Sequence, residues 1–154
     1  NRMRWNFSGL VSVALAAFVM TACNWMAHRT VELSPPVELA ASGQKIEIEL
    51  DTVNDGHLHR FAYTAENGTQ MRYIVIRKSE SAYGVALDAC NICGPSGYYE
   101  RDGQVVCILC DVVMNIGTIG MPGGCNPVPL AHEISDGKIV IDTADLEAEV
   151  HRFE

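Results

Sequence analysis

Five cysteines fall within 36 residues, as Cys90-Asn-Ile-Cys93, Cys107-Ile-Leu-Cys110 and Cys125 inside Gly-Gly-Cys-Asn-Pro. Two C-x2-C pairs 13 residues apart are the means by which two short loops each offer two thiolates to one metal. Gly94-Pro95-Ser96-Gly97 follows the first pair, and Gly117, Gly120, Gly123 and Gly124 precede the last cysteine. Such tight loops turn sulfurs inward and let backbone N–H groups approach a thiolate. Zinc in a four-thiolate cage, an iron–sulfur cluster, disulfide or thiol redox chemistry and copper all suit this spacing, which does not choose among them. The odd count adds one constraint: five thiols cannot all pair within one domain, so at least one stays free, binds metal or bonds to another chain. Cys90, Cys93, Cys107 and Cys110 are expected to form the core of the site. Cys125 is expected to be a fifth ligand or a free thiol shielded beside the centre.

Other chemistry is weaker. Gly94 and Asp111, not His, follow the two C-x2-C pairs, which argues against covalent haem attachment. Gly94-Pro95 is an awkward opening for the helix that a thioredoxin-like thiol requires. His57 and His59 are two apart at a strand start, so they share a side and could face a metal. A polar strand end is the ordinary reading of His57, while His59 stays a candidate ligand. Met114 and Met121 are soft donors whose default role is core filling. Asp88, on an apolar strand, needs a partner, either a metal ligand that it orients or a turn hydrogen bond. The acidic tail, Asp142, Asp145, Glu147, Glu149 and Glu154, reads as a solvated helix face.

The elements that must position these groups are mainly strands. Residues 45–50 alternate, with Ile46, Ile48 and Leu50 opposite Lys45, Glu47 and Glu49, giving a strand with one wet face. Residues 58–65 and 71–78 are strand candidates joined across Asn67-Gly68, where both residues tolerate positive φ. That turn also accounts for the Asn67-Gly68-Thr69 sequon. Residues 83–89 lead into Cys90, residues 104–109 carry Cys107 after Asp102-Gly103, and residues 138–141 follow Asp136-Gly137. Residues 143–150 read as a short helix capped by Asp142 or Thr143. The expected fold is mainly β (α+β), a small antiparallel β domain with a loop-rich cysteine lobe and a short C-terminal helix.

The 154 residues leave room for one domain plus a targeting segment. A net charge of -8 without a Lys/Arg cluster argues against nucleic acid as a partner. Residues 7–27 are almost uninterruptedly apolar, with Trp5 and Trp25 near the two ends and Arg2 and Arg4 ahead. The roughly 30 Å between the tryptophans, at helical rise, matches a bilayer's hydrocarbon core and predicts one membrane-spanning helix with its N-terminus inside. The alternatives are a lipobox ending at Cys23 or an ordinary cleaved signal, and all three export the remainder of the chain. Because the sequence starts at Asn1 rather than Met, further membrane helices upstream are also conceivable. Residues 28–43, with Pro35-Pro36, read as a stiff spacer, and residues 44–154 as the extracytoplasmic domain.

The segment from Leu87 to Leu130 resembles the FtrD-like membrane iron–sulfur protein family. The matching elements include Asp88-Ala89-Cys90, Ile92-Cys93-Gly94, Gly97-Tyr98, Val106-Cys107, Cys110, Ile119-Gly120 and Gly123-Gly124-Cys125-Asn126-Pro127. The resemblance extends over roughly residues 45 to 142 and leaves Cys23 outside the ligand set. It implies an iron–sulfur cluster, with zinc or copper as the alternatives. It also implies a place in the bacterial cytoplasmic membrane, with the soluble domain on the periplasmic side. The partners implied are an iron permease and periplasmic iron or copper proteins, and the role is moving electrons or handling metal. No catalytic acid, base or nucleophile is evident, so enzyme status is left open.

Overall fold

The computed structural model describes residues 35–154. The membrane segment expected over residues 7–27, Cys23 and the first part of the spacer lie outside the described residues. Among the described residues no helix is long and apolar enough to cross a membrane.

The described chain is mainly β with one short helix. Its strands are β1 (Val37–Glu38), β2 (Lys45–Glu49), β3 (His59–Thr64), β4 (Gln70–Arg77), β5 (Tyr83–Leu87), β6 (Tyr98–Arg101), β7 (Gln104–Cys107), β8 (Val113–Met114), β9 (Glu133–Ser135) and β10 (Lys138–Asp142). Helix α1 (Thr143–Glu147) and three single 3-10 turns complete it. The strands form three small sheets, ordered β1-β3-β4-β5, β2-β10-β9 and β6-β7-β8. All pairings are antiparallel except β1 with β3. Val37 and Glu38, within the stretch read as a spacer, pair with Phe61 and Ala62.

The apolar character of β4 explains the layering. Met71, Tyr73 and Val75 on one face join Ile46, Ile48, Phe61, Val85, Leu87, Ile139, Ile141 and Leu146 in a first core. Ile74 and Ile76 on the other face join Ala86, Cys90, Tyr98, Val105, Cys107, Met114 and Ile119 in a second. Successive side chains of a strand point to opposite faces. The sheet containing β4 is therefore covered on both sides, and β4 reads as a continuous apolar run rather than an alternation. By contrast β2, exposed and buried in turn, has the one wet face expected of it.

Turn chemistry fixes the hairpins. Asp102 (φ 53) and Gly103 (φ 73) join β6 to β7, and Asp136 (φ 51) and Gly137 (φ 77) join β9 to β10, with both central residues left-handed as a type I′ turn requires. The Asn67-Gly68 turn differs from expectation. Only Gly68 is left-handed (φ 86), while the Asn67 side chain accepts the N–H of Thr69 at 2.9 Å, a local closure that keeps Asn67 on the ordinary side of φ. Asp142 is the N-cap of α1 but makes no side-chain cap bond. The helix is instead anchored by Thr143, whose N–H donates to the Gln44 carbonyl at 2.9 Å. It ends at Glu147, short of the expected residue 150, and a 3-10 turn at Val150–Arg152 follows. The tail carboxylates are not simply solvated, since Glu147 accepts the Tyr63 hydroxyl (2.6 Å) and the Glu66 N–H (3.0 Å).

Candidate metal centre

Cys90 follows β5 and Cys107 ends β7, so both are delivered by buried strands and are themselves buried, at 3% and 0% exposure. Cys93 and Cys110 sit one turn further along. In the first loop Cys90 and Gly94 exchange two backbone hydrogen bonds, each 3.0 Å. In the second, Asp111 N–H donates to the Cys107 carbonyl at 3.0 Å and Cys107 N–H to the Val112 carbonyl at 3.0 Å. The two C-x2-C loops share the bond from the fourth residue on back to the first cysteine's carbonyl, and differ in that the first cysteine's N–H goes to Gly94 in one and, one residue further along, to Val112 in the other.

Cys125 arrives by a different route. Beyond it, Val128 N–H donates to the Ala89 carbonyl (2.9 Å), Leu87 N–H to the Val128 carbonyl (2.8 Å) and Leu130 N–H to the Val85 carbonyl (3.2 Å). This segment runs beside β5 and brings the Gly-Gly-Cys loop to the strand end that bears Cys90. Pro127 and Pro129 have no N–H to donate, and their alternation with Val128 and Leu130 leaves those two amides to make the bonds. Asn126 holds the loop's other side, accepting from the Thr118 hydroxyl (3.2 Å) and reaching the Thr118 carbonyl (3.4 Å).

The result is one pocket with five thiols, all free. The sulfurs of Cys93, Cys110 and Cys125 lie within 4.8 Å of one another. Cys107 interacts with Cys93 and Cys110, and Cys90 with Cys93. Cys125, expected as a fifth ligand or as a free thiol beside the centre, thus lies together with one cysteine of each C-x2-C pair. Sulfurs on one tetrahedral ion sit about 3.8 Å apart, given metal–sulfur bonds of about 2.3 Å, so the trio is within a small adjustment of ligation.

Fixed dipoles point at these sulfurs. Cys93 N–H donates to the Cys90 sulfur at 3.1 Å. Burial pushes the Cys90 thiol up, but the N–H groups of Cys93 and Ile92 and the Tyr98 hydroxyl outweigh it and hold the thiol below its ordinary value. The Val112 N–H, then the Cys107 thiol, lower Cys110. Burial and the neighbouring thiols raise Cys93 and Cys125. The sulfurs sit within an apolar shell of Leu58, Ile74, Val105, Ile116 and Ile119. A donor set of soft sulfurs in such a shell fits iron–sulfur, zinc or copper(I).

Behind the pocket lies a buried charge cluster. Asp88, 1% exposed, pairs with Arg60 Nε at 2.9 Å and Arg72 Nε at 3.3 Å, and its other oxygen accepts the Tyr98 N–H at 2.8 Å. Arg60 donates onward to the Tyr98 carbonyl and Arg72 to the Pro95 carbonyl (2.6 Å). Asp88 is therefore satisfied by two arginines, partners not expected of it, as well as by the Tyr98 N–H, and it pins the segment between the two C-x2-C loops. A Cβ on Gly97 (φ 88) would lie 3.0 Å from this carboxylate, so only glycine lets the chain pass so close.

His59 is not brought to the cysteines. It shares a face with Phe61 in the first core, opposite the one that carries Cys90, and its Nε2 is 2.7 Å from Asp55. His57 pairs with Glu100 at 2.9 Å. Met114 is buried as a core residue, whereas Met121 is 52% exposed, contrary to its reading as core. The pairing of Asp88 with Arg60 and Arg72 escapes sequence reasoning, because which residues meet depends on the register of β3, β4 and β5, although a charge on or beside each of three apolar strands is a usable signal. Tyr98 escapes it as a contact of the sulfurs because nothing in its spacing signals one.

The fold and pocket define a small β domain built to present a cluster of thiolates. The chain belongs to the FtrD-like family: its residues 53–153 match the family model described as "Membrane iron-sulfur containing protein FtrD-like". No curated protein and no solved structure matches the chain.

Proposed function

We propose that this chain is a membrane-tethered redox module whose thiolate pocket holds an iron–sulfur centre and passes electrons during bacterial iron import. The observation that carries this reading is the convergence of all five thiols of three separate loops on one pocket, with Cys90 and Cys107 deep and Cys110 at the surface. Such a gradient of burial puts an electron carrier close to solvent while its inner ligands are shielded. The family description supplies the iron–sulfur and membrane assignments. When bound, the centre would supply one-electron chemistry, and its potential would respond to the N–H donors on the sulfurs.

The tether is the apolar segment at residues 7–27, and the domain lies on the extracytoplasmic side of the cytoplasmic membrane. The partners are an iron permease and periplasmic iron or copper proteins. Exposed Ile92, Leu109, Val112, Val113 and Met121 sit in or beside the cysteine loops and give the pocket an apolar rim of the sort that partners cover.

A second reading is a zinc- or copper-holding domain without redox activity. The duplicated C-x2-C loop favours it, because two such loops satisfy a single tetrahedral ion. Oxygen-free protein that loses its visible colour with dithionite and regains it with a mild oxidant supports the redox module. Protein with metal but no reversible change supports the second reading. A reporter fused after Glu154 is expected to behave as exported, and cytoplasmic reporter activity would overturn the sidedness.

A further inference from the structure

We infer that Tyr98 is a positioning residue of the cysteine centre: its hydroxyl clamps the Cys125 loop by donating to the Cys125 carbonyl. This deepens the proposed function and rests on the pocket being a metal site. Tyr98 is 1% exposed and held at both ends of its backbone, with its N–H on Asp88 at 2.8 Å and its carbonyl on Arg60. In the β6–β7 register it stands opposite Cys107. Its hydroxyl donates to the Cys125 carbonyl at 2.6 Å. One rigid side chain therefore touches or faces two of the three cysteine-bearing segments.

A comparison within the molecule shows that burial alone does not produce this arrangement. Tyr73 is buried just as fully in the first core, and its hydroxyl has no hydrogen-bond partner. The Tyr98 hydroxyl, by contrast, ends on the Cys125 carbonyl. An outer group that holds a ligating residue fixes its orientation and so tunes metal affinity.

Cobalt(II) gives a test that does not depend on the native metal, because its thiolate complexes have sulfur-to-cobalt charge-transfer bands. The full chain would be purified metal-free without oxygen and titrated with cobalt(II). Tyr98→Phe is expected to bind cobalt about 10-fold more weakly and with an altered charge-transfer spectrum, since the Cys125 loop is no longer held by the hydroxyl. Alkylation of Cys125 in the metal-free protein is expected to speed up as its loop loosens. Tyr73→Phe, the same chemical change in the other core, should alter neither. A Tyr98→Phe spectrum and alkylation rate superimposable on wild type would overturn the proposal while the metal-site reading stands. A wild-type chain that takes up no cobalt would overturn both. Should Tyr98→Phe fail to fold, 3-fluorotyrosine at position 98 keeps the ring and makes the hydroxyl a stronger donor. Alkylation of Cys125 is then expected to slow, and an unchanged rate would overturn the proposal.

Discussion

Gly94 and Asp111 occupy the same place in two different loops, four residues after Cys90 and Cys107, and both are left-handed, at φ 61 and φ 55. Each donates its N–H to the carbonyl of its own first cysteine at 3.0 Å. The repeat of the cysteine motif is therefore a repeat of backbone geometry. At Gly94 there is open space around a would-be Cβ, so a side chain there meets only conformational strain. Gly94→Ala is expected to cost about 1 kcal/mol in urea unfolding. Asp111→Gly is expected to stay within about 1 kcal/mol of wild type, since relief at φ offsets the loss of the Arg101 pair at 2.9 Å. Equal, large losses at both sites would contradict a conformational origin.

The buried charge cluster gives the largest expected destabilisation. Asp88→Asn removes the carboxylate shared by Arg60 and Arg72 while keeping an acceptor for the Tyr98 N–H. Breaking one side of a buried pair is expected to cost about 3–5 kcal/mol, measured by denaturant unfolding of the metal-free chain. Arg72→Leu, at a more exposed position, is expected to cost about 1 kcal/mol. If Asp88→Asn unfolded like wild type, the cluster would not anchor the loop.

Much of this was legible in the sequence, and what was not has physical reasons. Period-2 alternation and the Asp-Gly turns located β2, β10 and the β6–β7 hairpin turn, because those features are local. Four strands, β1, β6, β8 and β9, escaped because Val37–Glu38, Tyr98–Arg101, Val113–Met114 and Glu133–Ser135 are short and carry little apolar pattern. Their pairing is decided by neighbours in space. The cysteine spacing pointed to a metal pocket, but the position of Cys125 follows from backbone bonds between Val128 and Ala89 across 39 residues, which no spacing reveals. His59 went the other way: its strand was recognised, yet the face it takes depends on which of two cores lies on each side of the sheet.

Close packing under the glycine-rich loop yields a third expectation. A Cβ on Gly84 would meet Ile119 Cγ2 at 2.8 Å and the Ile119 carbonyl at 2.9 Å. Gly84→Ala must displace the 116–120 segment and is expected to cost about 1–3 kcal/mol. Calorimetry checks the stability, and metal titration checks whether the disturbance reaches Cys125. A fully wild-type Gly84→Ala would contradict the close approach.

The His57–Glu100 pair sets a pH dependence away from the thiols. The Glu100 carboxylate raises His57 above its ordinary 6.5. Burial pushes Glu100 up, but the Leu58 N–H and the His57 ring outweigh it and hold the carboxyl below its ordinary 4.5. The His57 contribution to stability is thus complete below pH 6.5 and lost as pH rises through its raised folded value. The Glu100 contribution is complete above pH 4.5 and lost as pH falls through its lowered one. Ring-proton NMR should show a His57 midpoint above 6.5 that falls in Glu100→Gln. A wild-type midpoint at or below 6.5 would contradict the pairing.

Placement of Cys125 in the sulfur trio leads to a ligand test. Cys125→Ser and Cys110→Ser are expected to lose metal affinity together, by about 10-fold or more, in competition titrations with a chromophoric chelator. Full retention in Cys125→Ser would return this residue to an auxiliary role.

The central claim, that these thiolates hold a redox-active iron–sulfur centre, is tested most directly by purifying the full chain without oxygen. Iron, zinc, copper and acid-labile sulfide are then measured on the sample whose visible spectrum is recorded. A redox-active cluster requires a coloured protein with iron and sulfide in fixed ratio to the chain, both lost when Cys90 and Cys107 are replaced by Ser. A colourless protein with stoichiometric zinc and no sulfide would contradict it, because zinc has no accessible redox couple.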